Sequence, residues 1–500
     1  MIKAKIICNR AFSIGVPDRH IFGSFAEHMG RVIYSGIYEP DHPEADEDGF
    51  RKDVIKALQE MGVSSIRYPG GNFVSCYNWM DGIGPKNQRP YKRDLAWQSI
   101  ETNQFGTDEF MKWISTAGTD CILAVNLGTQ GVENAVNYLE YVNLPVGTKY
   151  SNLRKEYGHE KPYNVKKWCL GNEMDGDWQI GHKTAFEYGR LAAETAKAMK
   201  RTDPSIQLIA CGSSKSDMPS FPEWDMEILE QVYDVADYLA LHQYYGGQEM
   251  GTATFLAQSE DFENYIKTAR AAIQIVKAKK RSPRQMHISV DEWGVWALQP
   301  DDVTKQVCND PWQIAPSISE QIYTMEDALL FASMLMTILR NSDIIKIACQ
   351  SLITNISSCI MTKRGGESWK QTTFYPFKYL SNYAHGKIMK TSAEIPVYNA
   401  GKLENIPLID TLYVLNDKEL AVFAVNRSDA ECAELETELQ GISADHIIEY
   451  VSLTSENRKE TNEYDHNAVL PANCDAAEIK GNRLTVQLQP LSFNMIRVAL

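Results

Sequence analysis

Eight times between residues 20 and 351, a short apolar run is followed by a longer amphipathic stretch. The runs cover residues 20–28, 64–71, 121–128, 165–173, 206–213, 238–245, 285–293 and 344–351. Between them lie helical patterns. Residues 50–61 put Val54, Ile55, Leu58 and Met61 on one face, and residues 183–200 stop before Asp203-Pro204, a helix terminator. Residues 263–280 and 318–340 behave in the same way. Alternating strand and helix implies parallel pairing through right-handed crossovers. Eight such units predict a closed (β/α)8 TIM barrel. A doubly wound sheet is the competing arrangement, but no Gly-x-Gly-x-x-Gly follows the first run.

After about Phe377 the texture changes. Residues 412–415, 419–426, 446–453 and 483–489 read as strands separated by turn-forming residues. The last alternates polar and apolar side chains, as a half-buried antiparallel strand should. The expected division is a barrel over residues 19–376 and a C-terminal antiparallel β-sandwich, jelly-roll-like, over 377–500. Residues 1–18, which include Lys3-Ala4-Lys5-Ile6-Ile7, are expected to add a strand to it. Structural packing and assembly are the expected roles of that second unit.

The composition narrows the function. Fifty Lys and Arg against sixty-five Asp and Glu give a formal charge of −15. A nucleic-acid binder needs a basic footprint to displace counterions from phosphates, and an anionic membrane surface repels such a chain. No stretch reaches the ~20 apolar residues that span a bilayer. The most apolar segment, residues 328–339, reads as a buried helix. The first residues lack the apolar core of a secretion signal, so a cytoplasmic location is expected. Ten scattered cysteines with no Cys-x-x-Cys pair fit free thiols in a reducing compartment.

Barrel enzymes do their chemistry at the C-terminal ends of the strands. The fourth run ends Gly171-Asn172-Glu173 and the seventh ends Asp291-Glu292-Trp293, so both deliver a glutamate to one mouth. Other run ends bring Glu27 and His28, Arg67 with Asn72 beyond it, Asn126, and His242 with Tyr244. Two facing carboxylates are the minimal equipment for glycoside hydrolysis, and a spacing near ~5 Å corresponds to retention of configuration. One must stay ionised and the other hold a proton at neutral pH, which demands unequal surroundings. Arg67 and Tyr244 are placed to favour the ionised member. A lone glutamate among sixty-five acidic residues is ordinarily a solvated carboxylate. A lone His242 is ordinarily a satisfied core histidine, and Trp293 and Trp296 ordinarily pack. Gly70-Gly71 and Gly365-Gly366 read as tight turns rather than phosphate cradles.

At these residues the chain resembles the intracellular α-L-arabinofuranosidases of glycoside hydrolase family 51. The matching segments are Phe22-Gly23-Ser24-Phe25-Ala26-Glu27-His28, Arg67-Tyr68-Pro69-Gly70-Gly71-Asn72-Phe73-Val74-Ser75 and Trp168-Cys169-Leu170-Gly171-Asn172-Glu173-Met174-Asp175-Gly176. Leu241-His242-Gln243-Tyr244-Tyr245 and Asp291-Glu292-Trp293 match as well. The resemblance implies exo-acting, retaining release of terminal arabinofuranosyl units from oligosaccharides, without cofactor or metal. It implies Glu292 as nucleophile and Glu173 as general acid and then base. Asn172, Glu27 and Asn72 would bind furanose hydroxyls, His242 and Tyr244 would support the nucleophile beside the sugar, Arg67 would brace it, and Trp296 would wall the entrance. It also implies a homo-oligomer, often a hexamer.

Three positions depart from the family pattern. The family's Ala-Gln-Leu-Val-Asn after the eighth strand is Ser351-Leu352-Ile353-Thr354-Asn355 here, so Leu352 stands where a sugar-contacting Gln is usual. Gln350, two residues earlier and on the same strand face, is the candidate substitute. Cys76 replaces a Gly, and Gly294 replaces an Asn. The departures leave open another glycon for the same chemistry, such as a β-D-xyloside, a galactofuranoside or another pentofuranoside. A non-catalytic sugar-binding protein on a barrel scaffold is the alternative from another class.

Overall fold

The computed structural model describes residues 1–298, 306 and 309–500. Eight parallel strands close into a barrel: β1 (Gly23–Phe25), β2 (Ser65–Tyr68), β3 (Asp120–Val125), β4 (Lys167–Leu170), β5 (Gln207–Cys211), β6 (Tyr238–Tyr245), β7 (His287–Val295) and β8 (Ile345–Gln350). Each pairs with its sequence neighbour, and β8 returns to β1 through Cys349↔Gly23 and Gln350↔Ser24. All eight expected runs are therefore barrel strands. The first is shorter than its apolar run, because Asp18 accepts from the His20 amide and winds Arg19–Phe22 into a 3-10 turn before β1 begins.

The helices begin and end where capping chemistry dictates. Lys52–Met61 ends on Gly62 at φ 76°, a left-handed conformation that a side chain resists. Ala185–Thr202 starts on a Thr184/Glu187 capping box, and Met325–Arg340 on a Thr324/Asp327 box. The Thr324 box explains why this last helix starts later than its apolar pattern. The helix ending at Lys280 instead starts early, at Thr252, since Phe255, Leu256 and Phe262 extend the buried stripe.

Ten strands form a second sheet, antiparallel except where Ile2–Gly15 runs parallel to Ala433–Gln440. Ile2–Gly15 sits between Lys387–Glu394 and Ala433–Gln440, so the N-terminus does add a strand. The sheet curls on itself. Tyr413 and Thr437, and Tyr450 and Gln487, hydrogen-bond although two and six strands, respectively, separate them in the pairing order. Alternation in Glu419–Asn426 explains the packing: Leu420, Val422 and Ala424 join the sheet's own core, while Ala421, Phe423 and Val425 join the barrel's. The helix Met325–Arg340 lies between barrel and sheet and is buried on every side and largely apolar for that reason. Position 376/377 falls inside the helix Phe374–Tyr383, which packs on Lys52–Met61 and Met325–Arg340, and the next sheet strand starts at Lys387.

Among the described residues no helix is long and apolar enough to cross a membrane. The nine described cysteines are free thiols; Cys308 lies outside the described residues.

Candidate active site

Strand β7 carries a register slip against both neighbours, between Ser289 and Glu292 on the β6 side and between Val290 and Trp293 on the β8 side. In a regular strand adjacent side chains point to opposite faces; an extra residue re-aims one of them. Here Asp291 and Glu292 both reach Arg67. Arg67 Nη1 donates to Glu292 Oε1 at 2.8 Å, Nη2 donates to Asn172 Oδ1 at 2.6 Å, and Nε lies 3.3 Å from Asp291 Oδ2. Arg67 is 1% exposed, so these charges meet without water.

Glu173 arrives from the end of β4. Gly171 turns the chain at φ 92°, and Glu173 itself sits at φ 43°, an uncommon conformation for a residue with a Cβ. The strained turn carries its carboxylate back over the barrel mouth. One oxygen of Glu173 lies within 4.8 Å of one of Glu292 and of a His242 nitrogen. His242 pairs with Glu292 across β6 and β7, and its Nδ1 lies 3.0 Å from Glu173 Oε1 and 3.6 Å from Glu292 Oε2. Its Nε2 lies 3.6 Å from Asp291 Oδ1. The Tyr244 hydroxyl donates to Glu292 Oε2 at 3.0 Å, and the Trp178 indole donates to Glu173 Oε2 at 2.7 Å.

The surroundings separate the two glutamates electrically. Burial and the neighbouring charge of Glu292 push Glu173 above the usual carboxylate range, against the opposing pull of His242 and Trp178. Burial disfavours the charged His242, but Glu292, Asp291 and Glu173 outweigh it and lift it to about 10. Asp291 is held low in spite of burial by Arg67 and His242. Glu292 thus keeps an arginine and a tyrosine hydroxyl as donors, while Glu173 is the member that favours a proton.

A cavity of about 450 Å3 opens over this pair. Glu27, Asn72, Tyr244, Trp296, Glu173 and Glu292 line it, with Phe25, Met29 and Leu352 as an apolar sector. Glu27 accepts from the Phe73 amide at 2.8 Å and the Trp97 indole at 2.9 Å. Burial and Glu292 raise it to about 8. Gly71 sits between the two carboxylates: a Cβ there would fall 2.9 Å from Glu27 Oε2 and 3.0 Å from Glu292 Oε1. The Gly70-Gly71 turn is therefore also the gap through which the two acids face one sugar-sized space.

Several expected contacts lie elsewhere. Gln350 does not line the cavity. It is fully buried, donating to Ser24 Oγ at 2.9 Å and to the Leu352 carbonyl, so the β8–β1 seam consumes its amide. Leu352 takes the lining position, beside Ser351. Asn172 and His242 stand behind the lining side chains: Asn172 accepts from Arg67 and donates to Asn72 Oδ1 at 3.3 Å, and His242 bridges the carboxylates. His28 packs on Phe73 and bonds Glu101 and Tyr68, and Asn126 accepts from the amides of Gly128 and Thr129; both are structural. Trp293 packs on Phe331, whereas Trp296 lines the cavity against Tyr244. Trp97, Trp178 and the support role of Asp291 carry no signal in the sequence. The two tryptophans sit in loops without periodicity, and Asp291 acts inward only because of the slip in β7.

Glu173, His242 and Glu292 are also spaced to hold a metal ion. The glutamates already accept from Arg67, Tyr244 and Trp178, and His242 favours its protonated form, which has no lone pair for a cation, so the trio suits proton transfer better than cation binding.

An eight-stranded barrel with two facing glutamates at its C-terminal mouth defines the class: a barrel glycoside hydrolase. Comparison with known proteins narrows it. The model of the α-L-arabinofuranosidase 1 domain matches residues 57–284, and that of the α-L-arabinofuranosidase C-terminal domain matches 291–492. The chain is 47% identical, over its full length and 99% of the relative, to the intracellular exo-α-(1→5)-L-arabinofuranosidase 1 of Bacillus subtilis. It is 46% identical to the intracellular exo-α-(1→5)-L-arabinofuranosidase of Acetivibrio thermocellus, covering all of both chains. The solved structure of a family 51 α-L-arabinofuranosidase from Bifidobacterium longum superposes with a TM-score of 0.95 at 37% identity over 99% of each chain. The chain belongs to the α-L-arabinofuranosidases of glycoside hydrolase family 51.

Proposed function

We propose that this protein is an exo-acting α-L-arabinofuranosidase that releases terminal arabinofuranosyl units with retention of configuration. The observation that carries the reading is the approach of Glu173 and Glu292 oxygens to within 4.8 Å above one cavity. That spacing matches the ~5–5.5 Å of retaining enzymes and leaves no room for the water that inverting enzymes place between carboxylates ~6.5–9.5 Å apart.

In this reading Glu292 attacks the anomeric carbon while Glu173 gives its proton to the departing oxygen. Glu173 then takes a proton from the water that cleaves the glycosyl-enzyme. Arg67 and Tyr244 donate to Glu292 and hold it oriented before attack. Glu27 and Asn72 bind ring hydroxyls directly. Asn172 is held by Arg67 and Asn72 where it meets a 2-hydroxyl that leans toward it. Trp296 closes the entrance. Names of relatives that include "intracellular" support a cytoplasmic location, and the family pattern supports a homo-oligomer such as a hexamer, which light scattering checks.

The test is trapping. An activated 2-fluoro arabinofuranoside should leave a covalent adduct on the peptide that contains Glu292. Labelling elsewhere, or turnover of an aryl α-L-arabinofuranoside by Glu292→Ala at near-normal rate, removes the assignment. A panel of aryl glycosides fixes the sugar, with β-D-xyloside and galactofuranoside as comparators.

A further inference from the structure

Both oxygens of Glu173 are occupied by N–H groups, but by very different ones. Oε1 faces inward to His242 Nδ1 at 3.0 Å, and that imidazole is wedged against Glu292 and Asp291 and is 4% exposed. Oε2 faces the rim and accepts the Trp178 indole N–H at 2.7 Å. Trp178 rides on the loop after β4, is 44% exposed, and lines the cavity mouth beside Ser214 and Lys215. Gly176 makes room for its ring, since a Cβ there would fall 2.4 Å from the indole.

A general acid needs its O–H on the oxygen that meets the leaving group. An N–H donor on that oxygen favours the carboxylate instead. His242 cannot withdraw without breaking the packed contacts between β6 and β7. Trp178, on an exposed loop, can.

Resting on the reading of Glu173 as acid and base, we propose that Trp178 is a positioning residue that sorts the two duties of Glu173. Its indole N–H favours the ionised, base-ready form of Oε2; when a leaving group fills the cavity mouth the indole leaves Oε2, and Oε2 takes up a proton from solvent. In the first step the Oε2–H bond breaks and its proton goes to the glycosidic oxygen. That oxygen keeps the C1–O electron pair as Glu292 bonds C1. In the second step water bonds C1, the Glu292–C1 bond returns its pair to Glu292, and the water proton goes to Oε2. Among the described residues, the charged or titratable groups around Glu173 are His242 and Tyr244 from β6, Glu292 from β7 and Tyr265, with Lys215 at the cavity mouth, Asp291 behind His242, and Arg67 through Asn172.

Trp178→Phe keeps a ring and removes the donor. The alkaline limb of kcat/KM on a poor leaving group should move up by roughly half to one pH unit. On an activated aryl substrate, where breakdown of the glycosyl-enzyme limits, kcat below neutral pH should fall about 3–10-fold with KM little changed. Trp178→His restores an N–H and should restore both profiles. In a Glu173→Gln background the Phe substitution should have no further effect. Overlaid wild-type and Trp178→Phe profiles, or losses that add in the double variant, overturn the proposal; a melting curve confirms that each variant is folded. Absence of hydrolysis by the wild type, or equal loss on good and poor leaving groups in Glu173→Ala, would instead remove the underlying function.

Discussion

Arg67 Nη1 donates to Glu292 Oε1 at 2.8 Å, and the same guanidinium reaches Asp291 and Asn172. A planar fork makes these contacts from one group; an ammonium has no such geometry. Arg67→Lys is therefore expected to lower kcat/KM by at least about 100-fold on good and poor leaving groups alike. Arg67→Ala strands two buried carboxylates and should cost about 3–5 kcal/mol of stability in urea unfolding. A Lys variant with wild-type rates would remove the brace.

Glu173→Ala separates acid from base duty. Hydrolysis of a disaccharide should collapse, while an activated aryl glycoside should keep its first step and stall at the glycosyl-enzyme. Added azide needs no base, so it should restore turnover and give the α-configured glycosyl azide. Gas chromatography or NMR of the product decides it, and a β-azide would exclude a covalent intermediate.

Rising pH should destabilise the free enzyme in two windows. Glu27 is lifted to about 8 and His242 to about 10, both above their unfolded values. A raised group contributes stability that is complete below its unfolded pKa and is lost as pH climbs through the folded one. Melting temperature should therefore decline between about 4.5 and 8 through Glu27, and between about 6.5 and 10 through His242. Glu27→Gln should make the first decline shallower, since Asp94 and Asp225, both raised to about 7, share that window, and leave the second. A variant curve parallel to wild type would contradict this.

Leu352, with Phe25 and Met29, makes one sector of the cavity apolar. Leu352→Gln offers that sector a hydrogen-bonding amide. A new bond to a sugar hydroxyl is worth about 0.5–1.5 kcal/mol, so the ratio of kcat/KM between arabinofuranoside and a second furanoside should change about 2–10-fold. An unchanged ratio means that no sugar hydroxyl reaches this wall.

Much of the site was legible because barrel chemistry is confined to strand ends. Glu173 and Glu292 close the fourth and seventh apolar runs, and the fold carries both to one mouth. Glu27, Asn72, Tyr244 and Trp296 line the cavity as their positions suggested. Gln350 was misread, because strand periodicity gives a side but not a partner: Ser24, 326 residues earlier, takes its amide. Trp97 and Trp178 lie in loops, where no period reports direction.

Local patterning by itself determined the eight strand-and-helix units, their parallel order and the pair of glutamates, since apolar spacing and crossover handedness act over neighbouring residues. Which oxygen meets which donor was decided only in three dimensions. The slip in β7 turns two adjacent acids toward one arginine, and His242 comes to rest between carboxylates from other strands. Protonation at such a place depends on buried charges a few ångströms apart in space and tens to hundreds of residues apart along the chain, a sum that no linear pattern contains.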